Sequence, residues 1–156
     1  MNGEPDTVQR FYDRLGRLYE AQLPFNRLLG LAVTAVTADG ATVAFDMREE
    51  LIGNFFHQTL HGGVISAVLD TVGGLTASAS LAARAAGLAE GEIEKRFARV
   101  GTIDLRVDYL RPGRGLRFAA SGRIMRSGRK VAVVRMEMHN QEDLLVAVGT
   151  GTYMVG

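Results

Sequence analysis

His61-Gly62-Gly63-Val64-Ile65-Ser66-Ala67-Val68-Leu69-Asp70 reads as a glycine turn feeding a helix, with one acid about two turns in. From Gly62 to about Arg84 almost every residue is apolar or small. A helix apolar all round belongs inside a protein. A carboxylate inside it is costly unless something pairs with it or uses it. Ser66, Asp70, Gly73 or Gly74, and Ala77 recur at four-and-three spacing and share one face. That face is small and polar, and Ile65, Val68, Val72 and Leu75 form the greasy face opposite. The small stripe leaves room beside Asp70 for a substrate or a second helix. The alternative is an Asp held by backbone or arginine partners.

Outward from this helix the chain is strand-rich. Thr102-Ile103-Asp104-Leu105-Arg106-Val107-Asp108-Tyr109 alternates, which predicts Ile103, Leu105, Val107 and Tyr109 on a buried face. Leu116–Arg126 and Lys130–Asn140 flank the turn Ser127-Gly128, and Leu144–Val155 follows the turn Gln141-Glu142-Asp143. Before the helix, Leu31–Ala38 and Thr42–Met47 flank Asp39-Gly40, a hairpin signal. Residues 48–60 have no clear period and are expected as a loop. Residues 85–99 are expected as a short second helix or flap. Val8, Phe11, Tyr12, Leu15, Leu18, Tyr19 and Leu23 give an amphipathic helix over 7–23, capped by Asp6 or Thr7, with 24–30 as connector. Hairpin-linked strands imply an antiparallel sheet. The expected fold is α+β: one antiparallel sheet around the long helix, with an extra N-terminal helix at 1–24, in a single domain over 1–156.

The 156 residues suffice for a proper core. Eighteen Lys and Arg against 17 Asp and Glu give a net charge of +1. That balance offers no pull toward nucleic acid or an anionic membrane, and neither is expected as a partner. There is no cysteine, which excludes disulfides, thiol catalysis and thiolate metal sites and suits a cytoplasmic location. MNGEPDTVQR lacks the basic and apolar regions of a secretory leader. The run 62–84 is long enough to span a bilayer, but Asp70, Arg84, three serines and two threonines argue against a span.

The start of a buried helix carries free N–H groups and about half a positive charge. Gly62 and Gly63 let a ligand approach that backbone, which suits an oxyanion or carbonyl-polarising site; equally, they allow a tight turn. His61 either orients the loop and substrate or caps the helix. No metal is expected: His57 and His61 are four apart, but no Glu stands between them as a zincin requires. No serine-hydrolase elbow, P-loop or dinucleotide fingerprint is present, and no cofactor is expected. Arg111, Arg114 and Arg117 form one basic group, and Arg126, Arg129 and Lys130 another at the Ser127-Gly128 turn. Such turns hold phosphates or are simply solvated strand ends. A phosphate site would suit a nucleotide-bearing thioester such as an acyl-CoA.

His61-Gly62-Gly63 with Asp70 nine positions after the His, the strand Thr102–Pro112, the Ser127-Gly128-Arg129-Lys130 hairpin and the closing Val146–Tyr153 resemble the hotdog-fold acyl-CoA thioesterases of the PaaI-like (YigI-like) group. The resemblance covers about residues 25–156. It implies a hotdog fold in which the sheet wraps the helix. It also implies Gly62 as oxyanion donor beside Gly63, Asp70 as base or nucleophile, and Thr102 helping to hold the water. Arg126, Ser127, Gly128 and Arg129 would take CoA. The pattern departs at Phe55, where such proteins often carry Asn. Asn54 takes that role if the loop is one residue longer, and His57 or Gln58 otherwise.

The expected reaction is hydrolysis of an acyl-CoA with a medium-chain or aryl acyl group, in a pocket drawn from Phe55, Phe56, Leu60, Leu81 and Leu88. A non-catalytic acyl-CoA-binding hotdog module would bind without turnover, and a hotdog hydroxyacyl-thioester dehydratase would release no thiol. Gly62 and Asp70 are eight residues apart, about 12 Å along a helix. That spacing predicts a homodimer, or a dimer of two such dimers, with each site built from both chains.

Overall fold

The computed structural model describes residues 7–82 and 95–156. The N-terminal periodicity gives α1 (Thr7–Arg17), with Tyr12 and Leu15 buried. It is shorter than expected because the next turn, Leu18–Gln22, widens to π-helical geometry. Of the two expected caps, Asp6 lies outside the described residues. The stretch expected as a connector is instead a short helix, α2 (Pro24–Leu29). Proline in its first turn has φ already set for a helix, and Gly30 ends it in the left-handed conformation at φ 69°. Asn26 anchors this helix. It is buried, donates from Nδ2 to the Tyr19 carbonyl (2.8 Å) and accepts the Thr71 hydroxyl at Oδ1 (3.3 Å).

Strands β1 (Ala32–Val36) and β2 (Gly40–Asp46) pair antiparallel across the expected turn. The expected loop at 48–60 contains a second small hairpin, β3 (Ile52–Asn54) with β4 (Thr59–Leu60). Side-chain chemistry rather than periodicity makes it. Asn54 Oδ1 accepts the Phe56 and His57 N–H groups (3.1 and 3.2 Å). Gln58 sits at φ 50° and donates from Nε2 to the Phe55 carbonyl (2.7 Å). The chain then enters α3 (Gly62–Ala82). Arg84 and Leu88 lie outside the described residues, as does most of the expected flap at 85–99. Residues 95–97 are helical, and Phe97 stacks on Phe11 at 5.2 Å.

Strands β5 (Gly101–Tyr109), β6 (Arg117–Ser127), β7 (Val131–Asn140) and β8 (Leu145–Met154) complete an antiparallel sheet in the order β1-β2-β6-β7-β8-β5. Helix α3 lies across β2, β6, β7 and β8. Its Val68, Leu69, Val72 and Leu75 are fully buried, as are Phe118, Val134, Met136 and Met138 on the sheet. Phe45 and Phe118 stack across β2 and β6 at 5.4 Å. By composition α3 is apolar enough to cross a membrane, yet two-thirds of that stretch (67%) is buried inside the chain. The α+β fold is the expected one.

One burial expectation fails. Ile103 and Tyr109 are 59% and 54% exposed, while Leu105 and Val107 pack against the core. The pairing with β8 shifts between Thr102 and Asp104, so Ile103 falls out of register. Strand β5 is also a sheet edge, with β8 on one side only.

The seat of the helix is tight at Gly122 on β6. A Cβ there would run into Thr76 Oγ1 and lie 3.0 Å from the Val72 carbonyl, both on α3. Gly122→Ala should therefore cost about 1–3 kcal/mol through overpacking. Urea unfolding should show a lower midpoint with the slope unchanged; an unmoved midpoint would contradict this contact.

Candidate active site

The β3–β4 hairpin fixes the start of α3. His61 N–H donates to the Leu51 carbonyl (2.8 Å), and the His61 carbonyl accepts the Val64 and Ile65 N–H groups (3.0 and 3.2 Å). His61 Nδ1 accepts the Gly63 N–H (2.8 Å). Of the two roles open for His61, this geometry is the capping one, and it consumes the Gly63 donor. The Gly62 N–H meets no acceptor among the described residues. The Gly62 carbonyl accepts the hydroxyls of Ser66 and Tyr109, each at 3.2 Å. One backbone donor thus remains at the positive end of a long helix.

Asp70 is half-buried on α3. Its Oδ1 accepts the Thr102 hydroxyl from β5 (2.8 Å) and the Tyr153 hydroxyl from β8 (3.3 Å). Its partners among the described residues are these hydroxyls, with no cation in ion-pair range. Hydroxyls orient a carboxylate without neutralising it, so the charge stays available for chemistry. Burial pushes the Tyr153 phenol well up, and the Asp70 charge adds to the shift. Tyr19 is also raised, chiefly by burial, against a lowering hydrogen bond with Ser78. Both phenols therefore stay protonated at neutral pH.

The other expected residues fall elsewhere. Asn54, His57 and Gln58 are exposed and engaged in their own turn. Arg126, Ser127, Gly128 and Arg129 form the β6–β7 hairpin near the last turns of α3, where Ser127 Oγ lies 3.2 Å from Ser80 Oγ. Ser80 is ten residues past Asp70, about 15 Å along the axis. Of the five residues expected to line an apolar pocket, Leu88 lies outside the described residues, and Phe55, Phe56, Leu60 and Leu81 do not gather in one cleft within this chain. Leu60 is buried just before the start of α3 and Leu81 within its last turn, and the two phenylalanines stand 68% and 80% exposed.

A different cleft of about 330 Å³ lies beside the helix N-terminus. Phe25, Leu28 and Leu29 of α2 form one wall, and Val64 and Ala67 of α3 another. His61, Gly63, Arg48 and Glu50 also line it. Arg48 holds the Leu28 carbonyl and so fixes α2 over the cleft. Sequence reading missed Tyr153 and this wall. A tyrosine at an inward position of the last strand was the available signal, since a buried phenol seeks a partner. Among the described residues no group of three His, Asp or Glu side chains could hold a metal.

The family model of the thioesterase superfamily matches residues 57–147, from the β3–β4 turn into β8. The chain is 44% identical to "Medium/long-chain acyl-CoA thioesterase YigI" of Escherichia coli K12, over 96% of this chain and 97% of that one. The same identity and coverage hold for the protein of that name from Salmonella typhimurium. A solved Shewanella oneidensis structure, described as related to the thioesterase superfamily, is 46% identical with a TM-score of 0.93 and covers 98% of this chain and 100% of its own. With the family model spanning more than half of the sequence and relatives matching it nearly end to end, this chain belongs to the thioesterase superfamily.

Proposed function

We propose that the protein hydrolyses acyl-CoA thioesters to a free acid and CoA. The observation that carries this reading is the pairing on one buried helix of an un-neutralised carboxylate, Asp70, with an unaccepted N–H at Gly62. The YigI relatives, named as medium/long-chain acyl-CoA thioesterases, support it. In this reading the Gly62 N–H polarises the thioester carbonyl and takes up the charge that develops on its oxygen. As a base, Asp70 draws a proton from water as the C–O bond forms; the C–S bond breaks, and the departing sulfur receives that proton. As a nucleophile, Asp70 displaces the thiolate to leave an acyl anhydride on its own carboxylate, which water then hydrolyses to the free acid, with the water's proton going to the thiolate. The phosphates of CoA fall to the Arg126–Arg129 turn, with the Arg126 and Arg129 guanidiniums as ligands. A chain without cysteine suits the cytoplasm, where we place this reaction.

The acyl chain enters the cleft under α2. Its volume lies at the lower end of the range for small-molecule pockets. Its apolar walls adjoin the helix start where the carbonyl would sit.

Gly62 and Asp70 are about 12 Å apart along the axis, yet each must come within roughly 3 Å of one carbonyl. We therefore propose a homodimer in which Gly62 of one protomer faces Asp70 of the other. The unpaired edge of β5 and the exposed Ile103, Phe55 and Phe56 support a surface that a second copy covers.

Three measurements test these points. Asp70→Asn should lower hydrolysis by on the order of 10² to 10⁴ while leaving acyl-CoA binding intact; near-normal turnover would remove Asp70 from the mechanism. Leu28→Trp fills the cleft. It should lower kcat/KM for long acyl-CoAs by roughly tenfold and spare short ones; an equal loss at every length would put the chain elsewhere. Mixing inactive Asp70→Ala and Gly62→Val proteins with subunit exchange should restore roughly a quarter of the activity. No recovery despite proven exchange would mean that each chain carries a complete site.

A further inference from the structure

We propose that Tyr153 is a positioning residue for Asp70: its hydroxyl, with that of Thr102, pins one carboxylate oxygen so that the other faces the substrate. This rests on the reading of Asp70 given above.

The register of the sheet builds the arrangement. Thr102 on β5 and Tyr153 on β8 are direct cross-strand partners, immediately before the shift that displaces Ile103. Their hydroxyls converge on the same oxygen, Asp70 Oδ1, at 2.8 and 3.3 Å. The Tyr153 hydroxyl also lies 3.3 Å from the Asp70 carbonyl, which ties the side chain to its own turn of α3. Asp70 Oδ2 has no partner among the described residues. The Thr102 hydroxyl on Oδ1, with the Tyr153 proton shared between Oδ1 and the Asp70 carbonyl, fixes the carboxylate about its terminal torsion, which is otherwise broad.

The fold makes room for this tyrosine twice over. A Cβ at Gly73 would run into the Tyr153 hydroxyl, and one at Gly151 would come within 2.7 Å of the same ring. Glycine is disfavoured in a helix interior and weakens a strand interior. Both glycines answer to the size of the ring, which Phe would share. Only the hydroxyl distinguishes Tyr from Phe, and its partners are on Asp70. Tyr153 is 1% exposed, where a phenol without an acceptor is penalised. Burial and the Asp70 charge hold it in the protonated, donating form.

The test is a double-mutant cycle on purified full-length protein, with thiol release from acyl-CoA as the readout. Tyr153→Phe removes one oxygen from a filled site, so the fold should hold, which a thermal melt checks. Expected is a fall in kcat of roughly tenfold with KM nearly unchanged. In the Asp70→Asn background, assayed at high enzyme concentration, Tyr153→Phe should cause no further loss, because the group it positions is gone. An equal fold-loss in both backgrounds would overturn the inference and leave a packing role. Unchanged kcat in Tyr153→Phe would also overturn it, while inactive Asp70→Asn kept the reading of Asp70 standing. Full turnover by Asp70→Asn would instead sink that reading, and this inference with it.

Discussion

Everything in this structure depends on enclosing one helix. Helix α3 has 21 residues and no polar side sufficient to face water. Each fully buried aliphatic side chain on it is worth about 1.5–3 kcal/mol when removed from water. The strands that enclose it come from both sides of it in sequence, since β2, which precedes it, pairs with β6, which follows it. The sheet cannot be completed without bracketing the helix, and the close approach at Gly122 shows how little space is left between them.

Enclosure makes every polar atom on α3 conspicuous. Ser66 turns its hydroxyl onto the carbonyls one turn back. Thr71 meets Asn26, Ser78 meets Tyr19, and Ser80 meets the Ala77 carbonyl and Ser127. These are neutral groups with neutral partners, at little net cost. Asp70 alone brings a charge, and the chain surrounds it with hydroxyls rather than a guanidinium. An ion pair would have spent the carboxylate on structure. Hydroxyls hold it in place and leave its charge unpaired.

Legibility followed periodicity. The strands and α3 were readable because their apolar residues repeat over many positions, and Asp39-Gly40 and Ser127-Gly128 mark their turns. Helix α2 was not, because six residues are too few for a period to declare itself. The β3–β4 hairpin was hidden for a related reason: Asn54 and Gln58 make it through bonds to their own backbone. Ile103 was misplaced because alternation assumes an unbroken register, and Tyr109 because it closes an edge strand and turns its hydroxyl to the Gly62 carbonyl. In the site, Asp70 and Thr102 could be named from sequence. For Tyr153 the inward position on the last strand showed that a phenol is buried, but not that its partner is Asp70, because that meeting depends on space left by Gly73, far away along the chain. The α2 cleft was hidden likewise, since Phe25 and Leu28 meet Val64 only after folding.

The adjacent glycines Gly73 and Gly74 have a further consequence, which concerns time rather than equilibrium. They lie in the middle of α3 and lower its intrinsic helicity just past Asp70. A segment so interrupted gains little from nucleating alone in water. Its stability arrives with the sheet, and the sheet closes only when β2 finds β6 across the whole intervening helix. Contacts of such long sequence separation are entropically late, which sets this topology among the slower folders of its size. Until that closure, the apolar face of α3 is open to other chains as readily as to its own strands.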